Sequence, residues 1–379
     1  MAAAFRLARW NRARTSTNPS VGCIIVRDGA IVGTGVTALG GRPHAEPQAL
    51  ADAGELARGA TAYVTLEPCS HHGRTPPCAD ALIAYGIARV VIAITDPDPR
   101  VSGRGVAMLR EAGIAVETGV LEAEGRAELA PYLTRQIEKR AHVTLKLAVS
   151  ADGMIGRRGL GQVSITGPLA RAQVHAMRAE MDAILVGSGT AVADDPELTV
   201  RLPGLADRSP RRFVLGGTPL PAGSKLLRGG VTVVSFPVEV AVPPSALPGI
   251  SPTGGEIDSR HRPHPISPLV GEMSGRTEGG STITPLKLTH WITPTLHTLL
   301  TRMADEGISS LMIEGGASVA RAFLEAGLVD RIALYEGPGT IGADGLASPL
   351  TRAHMPSGYR LVRSETFGPD RAHHYERET

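Results

Sequence analysis

Short apolar runs in the first 140 residues alternate with turns rich in glycine, proline and aspartate. The runs that predict strands cover residues 21–26, 30–36, 60–66, 89–95 and 114–120. Asp28-Gly29, between the first two, is a typical hairpin turn. The runs with helical spacing cover residues 47–54, 79–86 and 105–112. A hairpin followed by alternating strands and helices predicts a layered α/β domain with a mixed sheet.

The second half also alternates between strands and helices, which predicts an α/β domain with a largely parallel sheet. A strand from His142 ends in the turn Asp152-Gly153. Further predicted strands cover residues 182–186, 211–217, 230–236, 309–316 and 329–337, and predicted helices cover 168–178, 296–306 and 317–326. Residues 121–139 predict a mostly helical connector that is interrupted at Pro131. We therefore expect one domain at 1–139 and a second at 140–379.

Residues 237–285 have no helical or strand periodicity. Of these 49 residues, 9 are proline, 7 are glycine and 6 are serine, and such a composition does not supply a packed core. We expect a disordered surface insertion within the second domain, with His261 and His264 solvated rather than bound to a metal.

The composition narrows the class of protein. The chain has 39 Lys and Arg against 37 Asp and Glu, and the net charge of +2 argues against a nucleic-acid-binding platform. No apolar run approaches the roughly 18 to 20 residues that span a membrane. The three cysteines are an odd number, which suits a reducing compartment better than a disulfide framework. The first 17 residues hold four arginines and no acid, as transit peptides do, but we favour a first helix.

The motifs that point most specifically to one reaction are HAE, EPC and PPC, which contain His44, Glu46, Cys69 and Cys78. One histidine and two cysteines make three ligands, the number that a catalytic zinc takes from the protein while water keeps the fourth position. Zinc lowers the pKa of bound water from about 15.7 to near 7, and Glu46 is close enough in sequence to carry the proton. This pattern is the signature of zinc deaminases that act on nucleobase-like rings.

The local sequence supports a zinc site. Cys69 follows a predicted strand, and His44 and Cys78 each open a predicted helix, whose N-terminus favours a thiolate. The alternative is a closed zinc knuckle or two unrelated buried cysteines. A closed site needs a fourth ligand, for which the rivals are His71 and His72 in the loop between the cysteines. Those histidines could instead contact a substrate.

Two glycine-rich strand-to-helix turns occur in the second half, at 187–190 and 314–317. Their small residues allow a phosphate to approach the backbone, and the helix N-termini point amide groups at it. Neither turn is a G-x-G-x-x-G fingerprint, and such turns are more often ordinary loop geometry, so we do not infer a Rossmann domain. Arg178 and Arg201 could hold a phosphate, although a lone arginine is commonly a solvated surface charge.

The run TLEPCSHHGRTPPC (65–78), with eight residues between its cysteines, resembles the bifunctional deaminase/reductase family of riboflavin biosynthesis. NPSVGCIIV and SGRG are similar to other parts of that family. The resemblance implies a cytidine-deaminase-like first domain in which His44, Cys69 and Cys78 bind Zn²⁺ and Glu46 is the catalytic proton shuttle. The loop between the cysteines would line the substrate pocket.

The second half is similar to the family's reductase domain in LKLAVSADGMIG, AILVGSGTAVADDPELTVR and IEGG. That domain resembles dihydrofolate reductases in fold and uses NADPH. The residues implied to contact NADPH are Ala148, Ser164, Thr190, Asp194, Gly217 and Gly316. The residues implied to contact the substrate are Asn18 in the first domain and Gln162, Arg178, Leu198, Arg201 and Glu314 in the second, with Lys146 as a further candidate.

Several features depart from the family pattern. Ser16-Thr17 stand before Asn18-Pro19, where the family usually has His-Pro. Residues 162–166 lack the aromatic side chain that the family often has there and that could stack on the cofactor. Gly216-Gly217 stand where the family commonly has Asp-Ser, which removes a hydroxyl contact. The insertion at 237–285 is the last departure. A monofunctional deaminase with a decayed reductase domain is therefore an alternative.

The implied function has two steps. Zinc-dependent hydrolytic deamination of 2,5-diamino-6-(5-phosphoribosylamino)pyrimidin-4(3H)-one is followed by NADPH reduction of the ribosyl chain to ribityl, which gives 5-amino-6-(5-phospho-ribitylamino)uracil. Asp194 is a candidate general acid for the second step. The rivals are a deaminase of nucleosides or nucleic acid with an unrelated second domain, and a non-catalytic zinc scaffold. We expect a cytoplasmic homo-oligomer that acts on a small molecule and binds neither nucleic acid nor membrane.

Overall fold

Two separate β-sheets organise the protein. The computed structural model describes residues 1–71, 73, 76–99, 101–157, 159, 161–236 and 288–378. The insertion expected at 237–285, with His261 and His264, lies outside these residues, as does the loop residue His72. The described residues before and after the long gap belong to one compact unit.

The first sheet is mixed. Its strands are β1 (Gly22–Arg27), β2 (Ala30–Val36), β3 (Thr61–Val64), β4 (Arg89–Ile92) and β5 (Ala115–Thr118). They lie in the order β2-β1-β3-β4-β5. β1 and β2 form the predicted hairpin, β1 pairs antiparallel with β3, and β3, β4 and β5 run parallel. The predicted α/β domain with a mixed sheet is confirmed.

Glycines on β2 allow a helix to lie directly on this sheet. The helices of the first half are α1 (Ala2–Ala8), α2 (Ala45–Ala53), α3 (Cys78–Ala84) and α4 (Arg104–Glu111). A Cβ built at Gly35 would lie 2.1 Å from the carbonyl oxygen of Ala45, in the first turn of α2. A side chain at Gly35 would therefore displace the turn that carries His44 and Glu46.

The connector between the sheets is helical, as predicted. It consists of α5 (Glu122–Glu128) and α6 (Ala130–Ile137). The break lies at Leu129 and not at Pro131, because Pro131 occupies the first turn of α6, where the missing amide removes no helical hydrogen bond. The N-terminal segment forms α1, in agreement with the helical interpretation of its sequence.

The second sheet has nine strands. They are β6 (His142–Val149), β8 (Ala183–Gly187), β9 (Arg211–Leu215), β10 (Val231–Ser235), β11 (Leu288–Ile292), β12 (Ser310–Glu314), β13 (Arg331–Glu336), β15 (Tyr359–Phe367) and β16 (Asp370–Arg377). Their order is β11-β10-β9-β8-β12-β6-β13-β16-β15. The first seven in this order run parallel to one another. β16 pairs antiparallel with β13, and β15 pairs antiparallel with β16. The largely parallel sheet is confirmed, whereas β11 and the β15–β16 hairpin were not predicted.

Helices cover both faces of this sheet, as a parallel sheet requires. They are α7 (Pro168–Ala179), α8 (Ser188–Asp194), α9 (Leu296–Asp305) and α10 (Ala317–Glu325), and β7 (Met154–Arg157) pairs with β14 (Gly345–Ala347) beside the main sheet. Separate apolar clusters form on the two faces, one around Leu145 and Leu311 and the other around Ile184 and Tyr335. Among the helices of the described residues, none is long and apolar enough to cross a membrane.

Candidate functional site

Three candidate zinc ligands come together from three segments of the first half. His44 is the N-cap of α2, Cys78 is the first residue of α3, and Cys69 follows the end of β3. Their ligand atoms all lie within 4.8 Å of one another. Within the described ranges, no other group of three or more His, Cys, Asp or Glu residues is placed to hold a metal ion.

The distances between these atoms fit zinc. The Nδ1 atom of His44 lies 3.3 Å from the Sγ atom of Cys78 and 3.7 Å from that of Cys69. In a tetrahedral site with Zn–S of about 2.3 Å and Zn–N of about 2.05 Å, a nitrogen and a sulfur ligand lie about 3.6 Å apart. The two observed distances bracket this value, so the three residues can bind one zinc ion with little rearrangement.

The pKa values of the two cysteine thiols also favour binding of a cation. A hydrogen bond from Cys78 lowers the pKa of the Cys69 thiol to about 4, and the same contact, together with burial, raises the pKa of the Cys78 thiol. The backbone N–H of Cys78 also donates to the Cys69 sulfur at 3.3 Å. Two thiolates so close together repel each other, and a divalent cation between them would stabilise both.

Glu46 lies beside the ligands in the first turn of α2. Its side chain is only 3% exposed. Burial raises the pKa of its carboxyl to about 7, and the nearby Cys69 sulfur adds to the effect. A carboxyl with such a pKa can both accept and donate a proton near neutral pH, which a proton shuttle requires.

Two further predictions for the first half concern the histidines between the cysteines and Asn18. Among the described residues, His71 is outside the ligand cluster and its buried Nδ1 has no hydrogen-bond partner, while His72 lies outside those residues. The side-chain amide of Asn18 donates to the carbonyl of Gly41 at 2.8 Å. Asn18 therefore anchors the loop that leads to His44, and whether it also contacts a substrate stays a prediction.

The second candidate site lies at the carboxyl ends of the parallel strands. β8 and β12 are neighbours, and each leads through a glycine-containing turn into a helix. A Cβ at Gly316, whose φ is 77°, would lie 2.8 Å from the hydroxyl oxygen of Thr190 in α8. Two of the predicted cofactor residues, Thr190 and Gly316, are thus adjacent. The first amides of α10 have no side-chain cap, which suits an anionic group such as a pyrophosphate.

Further predicted residues border the same edge. Ala148 lies near the carboxyl end of β6, between β12 and β13. Exposed Gln162 and Ser164 precede Ile165 in the loop before α7. The carbonyl of Ile165 packs against Gly337, just after β13, where a Cβ would lie 2.0 Å from it. The structure therefore places this loop at the carboxyl edge of the sheet.

The Gly216-Gly217 departure has a packing reason. Gly216 has a φ of 129°, and a Cβ there would lie 2.3 Å from the hydroxyl oxygen of Ser188. Gly217 is exposed, with nothing within 4 Å of an added Cβ. Asp194 ends α8, and burial raises the pKa of its carboxyl.

Arg178 and Glu314 form a buried ion pair. Nε and Nη2 of Arg178 donate to the two carboxylate oxygens of Glu314 at 2.6 and 2.8 Å, and Nη1 donates to the carbonyl of Thr199. Burial acts to raise the pKa of Glu314, but Arg178 holds it below its usual value. Lys146 lies opposite Glu314 in the sheet, and burial lowers the pKa of its ammonium. Arg178 and Glu314, which were both predicted to contact the substrate, are thus hydrogen-bonded to each other.

Arg201 and Leu198 have different surroundings. The Arg201 side chain is about half exposed, and it pairs with the similarly exposed Glu197 at 3.2 Å. Leu198 is buried in an apolar cluster and has a φ of 54°. Of the two arginines named for a phosphate, Arg201 is the more accessible one.

Glu67 was not among the residues predicted from the sequence to form the candidate zinc site. This buried residue precedes Pro68 and Cys69, and its carboxylate accepts four backbone amides. The signal that could have revealed it is a charged residue at the end of a buried strand, immediately before a metal-ligand motif.

Comparisons with known proteins agree with this two-site arrangement. The cytidine and deoxycytidylate deaminase zinc-binding region matches residues 1–94, and the RibD C-terminal domain matches 141–242 and 271–372. The chain is 39% identical over 354 residues to the riboflavin biosynthesis protein RibD of Escherichia coli, which covers 91% of this chain and 88% of that protein. It is 37% identical to RibD of Aquifex aeolicus, over 90% and 87% of the two chains.

Solved structures give the same result. The deaminase/reductase of Thermotoga maritima superposes with a TM-score of 0.79 at 31% identity, covering 100% of this chain and 97% of that one. Acinetobacter baumannii RibD does so with a TM-score of 0.79 at 32% identity, covering 100% and 98%. Because the reductase half is matched along its length, the alternative of a decayed reductase domain is wrong. The chain belongs to the RibD family of bifunctional riboflavin-biosynthesis enzymes, with a zinc-dependent deaminase half and an NADPH-dependent reductase half.

Proposed function

We propose that His44, Cys69 and Cys78 are the zinc ligands of the deaminase and that Glu46 is its proton shuttle. The observation that carries this proposal is the gathering of the three ligand atoms within 4.8 Å, beside a buried carboxyl. Zinc bound there would supply a water of lowered pKa at the open fourth position. Glu46 would accept a proton from that water and donate one to the amine that leaves the pyrimidine ring.

The reductase site is assigned to the carboxyl edge of the nine-stranded sheet. Bound NADPH would supply the hydride. The Gly316 turn and Thr190 would bind an anionic part of the cofactor, because uncapped amides and small residues meet there. Lys146 on β6 and the Arg178–Glu314 pair, which joins α7 to the end of β12, would bind the polar edge of the substrate.

Two smaller roles complete the second site. Arg201 would bind the substrate phosphate, because its present partner Glu197 is an exposed carboxylate that a dianion can displace. Asp194 would be the proton donor of the reduction, and burial raises the pKa of its carboxyl above the usual value.

The test follows both steps on one protein. Zinc-loaded enzyme is mixed with the diaminopyrimidinone ribosylamino phosphate, and ammonia release is measured before and after NADPH is added. We expect ammonia first and NADPH consumption only in the presence of the deaminated product. Glu46→Gln serves as the control, since it should stop ammonia release yet still reduce added deaminated product. A Glu46→Gln enzyme that deaminates normally would exclude the proposed shuttle.

We also propose that the chain works as a homo-oligomer in the cytoplasm and does not bind nucleic acid. The near-neutral net charge of +2 supports the last point. Sedimentation analysis of the purified enzyme would measure its mass, and a monomer at micromolar concentration would exclude the oligomer.

A further inference from the structure

A buried carboxylate lies two residues before the candidate zinc ligand Cys69. Glu67 is 4% exposed. Its Oε2 accepts the backbone amides of Asp96 at 3.2 Å and Gly103 at 3.0 Å, and its Oε1 accepts those of Gly105 at 3.0 Å and Val106 at 3.3 Å. One side chain therefore satisfies four backbone donors.

These donors belong to two segments that are distant from Glu67 in sequence. Asp96 follows β4, whereas Gly103 is the N-cap of α4 and the other two lie in its first turn. A carboxylate at a helix N-terminus interacts favourably with the helix dipole and with the unpaired amides of the first turn. Glu67 therefore joins the segment of Cys69 to the start of α4 and to the loop after β4.

The same helix start touches the peptide that precedes the zinc ligand. A Cβ built at Gly105 would lie 2.1 Å from the carbonyl oxygen of Pro68. On the other side, Cys69 receives the N–H of Cys78 at its sulfur and the N–H of Ala79 at its carbonyl, at 3.3 and 3.2 Å. The Pro68-Cys69 peptide is thus held between α4 and α3, with Glu67 bonded to the α4 side.

We propose that Glu67 is a positioning residue of the deaminase, which fixes the Cys69 thiolate at the distance from His44 and Cys78 that zinc requires. The inference rests on the proposed zinc site. Ligand geometry depends on such supporting hydrogen bonds, and their loss typically weakens metal affinity or activity by about 10- to 100-fold. A carboxylate that only stabilised the fold would change the melting temperature and leave zinc affinity intact.

The test is Glu67→Gln. The amide has the same shape, but its NH₂ group faces two backbone N–H donors, so two of the four hydrogen bonds become repulsive contacts. We expect the zinc dissociation constant, measured by competition with a chromophoric chelator, to rise about 10- to 100-fold, and kcat of deamination at saturating zinc to fall. NADPH-dependent reduction by the same chain should be unchanged, which shows that the reductase half is folded.

Asp182→Asn is the matched control. Asp182 accepts the amides of Ser309 and Ser310 and the hydroxyl of Ser310, so it is a comparable carboxylate in the reductase half. All three bonds end on Oδ2 of Asp182, so the amide oxygen of asparagine can replace it, and the variant should keep zinc affinity and deamination unchanged. If Glu67→Gln is insoluble, Glu67→Asp provides the same test, because it keeps the charge but is one methylene too short to keep all four bonds.

Two results distinguish a failure of the positioning role of Glu67 from a failure of the proposed zinc site. Zinc affinity and kcat equal to wild type in the Glu67 variants, with only a lower melting temperature, would overturn the positioning role. A wild-type protein that binds no zinc at the His44, Cys69 and Cys78 site would instead overturn the proposed function on which it rests.

Discussion

Replacing Glu314 by glutamine leaves Arg178 as a buried cation without its carboxylate partner. Both side chains are 11% exposed, and their two hydrogen bonds are 2.6 and 2.8 Å long. Removing one partner of a buried ion pair costs about 3–5 kcal/mol. Because both side chains of this pair keep some exposure, we expect about 3 kcal/mol, at the lower end of that range.

Removing both charges should cost much less. In the double variant Arg178→Met/Glu314→Leu, both charges of the ion pair are removed together, and apolar replacements of buried ion pairs are often neutral. We expect the double variant to unfold within about 1 kcal/mol of wild type, although reduction is lost because Glu314 and Arg178 belong to the proposed substrate site. Deamination by the same protein should persist.

The assay is urea denaturation followed by tryptophan fluorescence. Trp291 is 3% exposed in the core of the second sheet, whereas Trp10, the other tryptophan, is 69% exposed, so the signal reports on the reductase half. A loss below about 1 kcal/mol for Glu314→Gln, or a double variant no more stable than the single one, would refute the reasoning from burial.

Three further predictions concern other sites. Glu46→Gln should slow deamination by about 10²- to 10⁴-fold with zinc content unchanged by atomic absorption, and loss of zinc would mean that Glu46 supports the metal instead. Gly216→Ala should destabilise the reductase half by about 1–3 kcal/mol, because the added Cβ would collide with Ser188. Gly217→Ala is the control and should leave stability unchanged, because nothing lies within 4 Å of its Cβ. Equal urea midpoints for the two variants would contradict the steric explanation. Burial lowers the pKa of His142 from 6.5 to about 4, so the unfolded chain takes up the proton first as pH falls below 6.5. Stability should therefore drop by about 2 kcal/mol between pH 7 and pH 5, and His142→Gln should lack this component; equal pH dependence in both proteins would exclude it.

The sequence was most informative where chemistry is local. The HAE and EPC motifs named residues that the structure brings together, because each ligand lies at the end of a strand or helix that its own apolar pattern predicts. The alternation of strands and helices likewise predicted the parallel sheet. The closing hairpin of β15 and β16 was missed because β15 is an exposed edge strand whose residues show little apolar alternation.

Prediction was weaker where a residue's role depends on a distant partner. Arg178 was named as a phosphate or substrate ligand from its type and from the family resemblance, and neither revealed its bond to Glu314, 136 positions away. Glu67 was overlooked because its four donors lie 29 to 39 positions further along the chain. Gly216-Gly217 looked like a loss of function, whereas the position of Ser188 gives Gly216 a steric reason.

The sequence by itself determined the ligand types, the alternation of elements and the family resemblance, because these depend on side-chain chemistry and on periodicities of a few residues. Only the tertiary structure decided which charges are paired, which glycines allow close contact and which carboxylate supports the Cys69 segment. Those properties depend on distances of about 3 Å between groups from different strands and helices, and the packing of two sheets sets these distances.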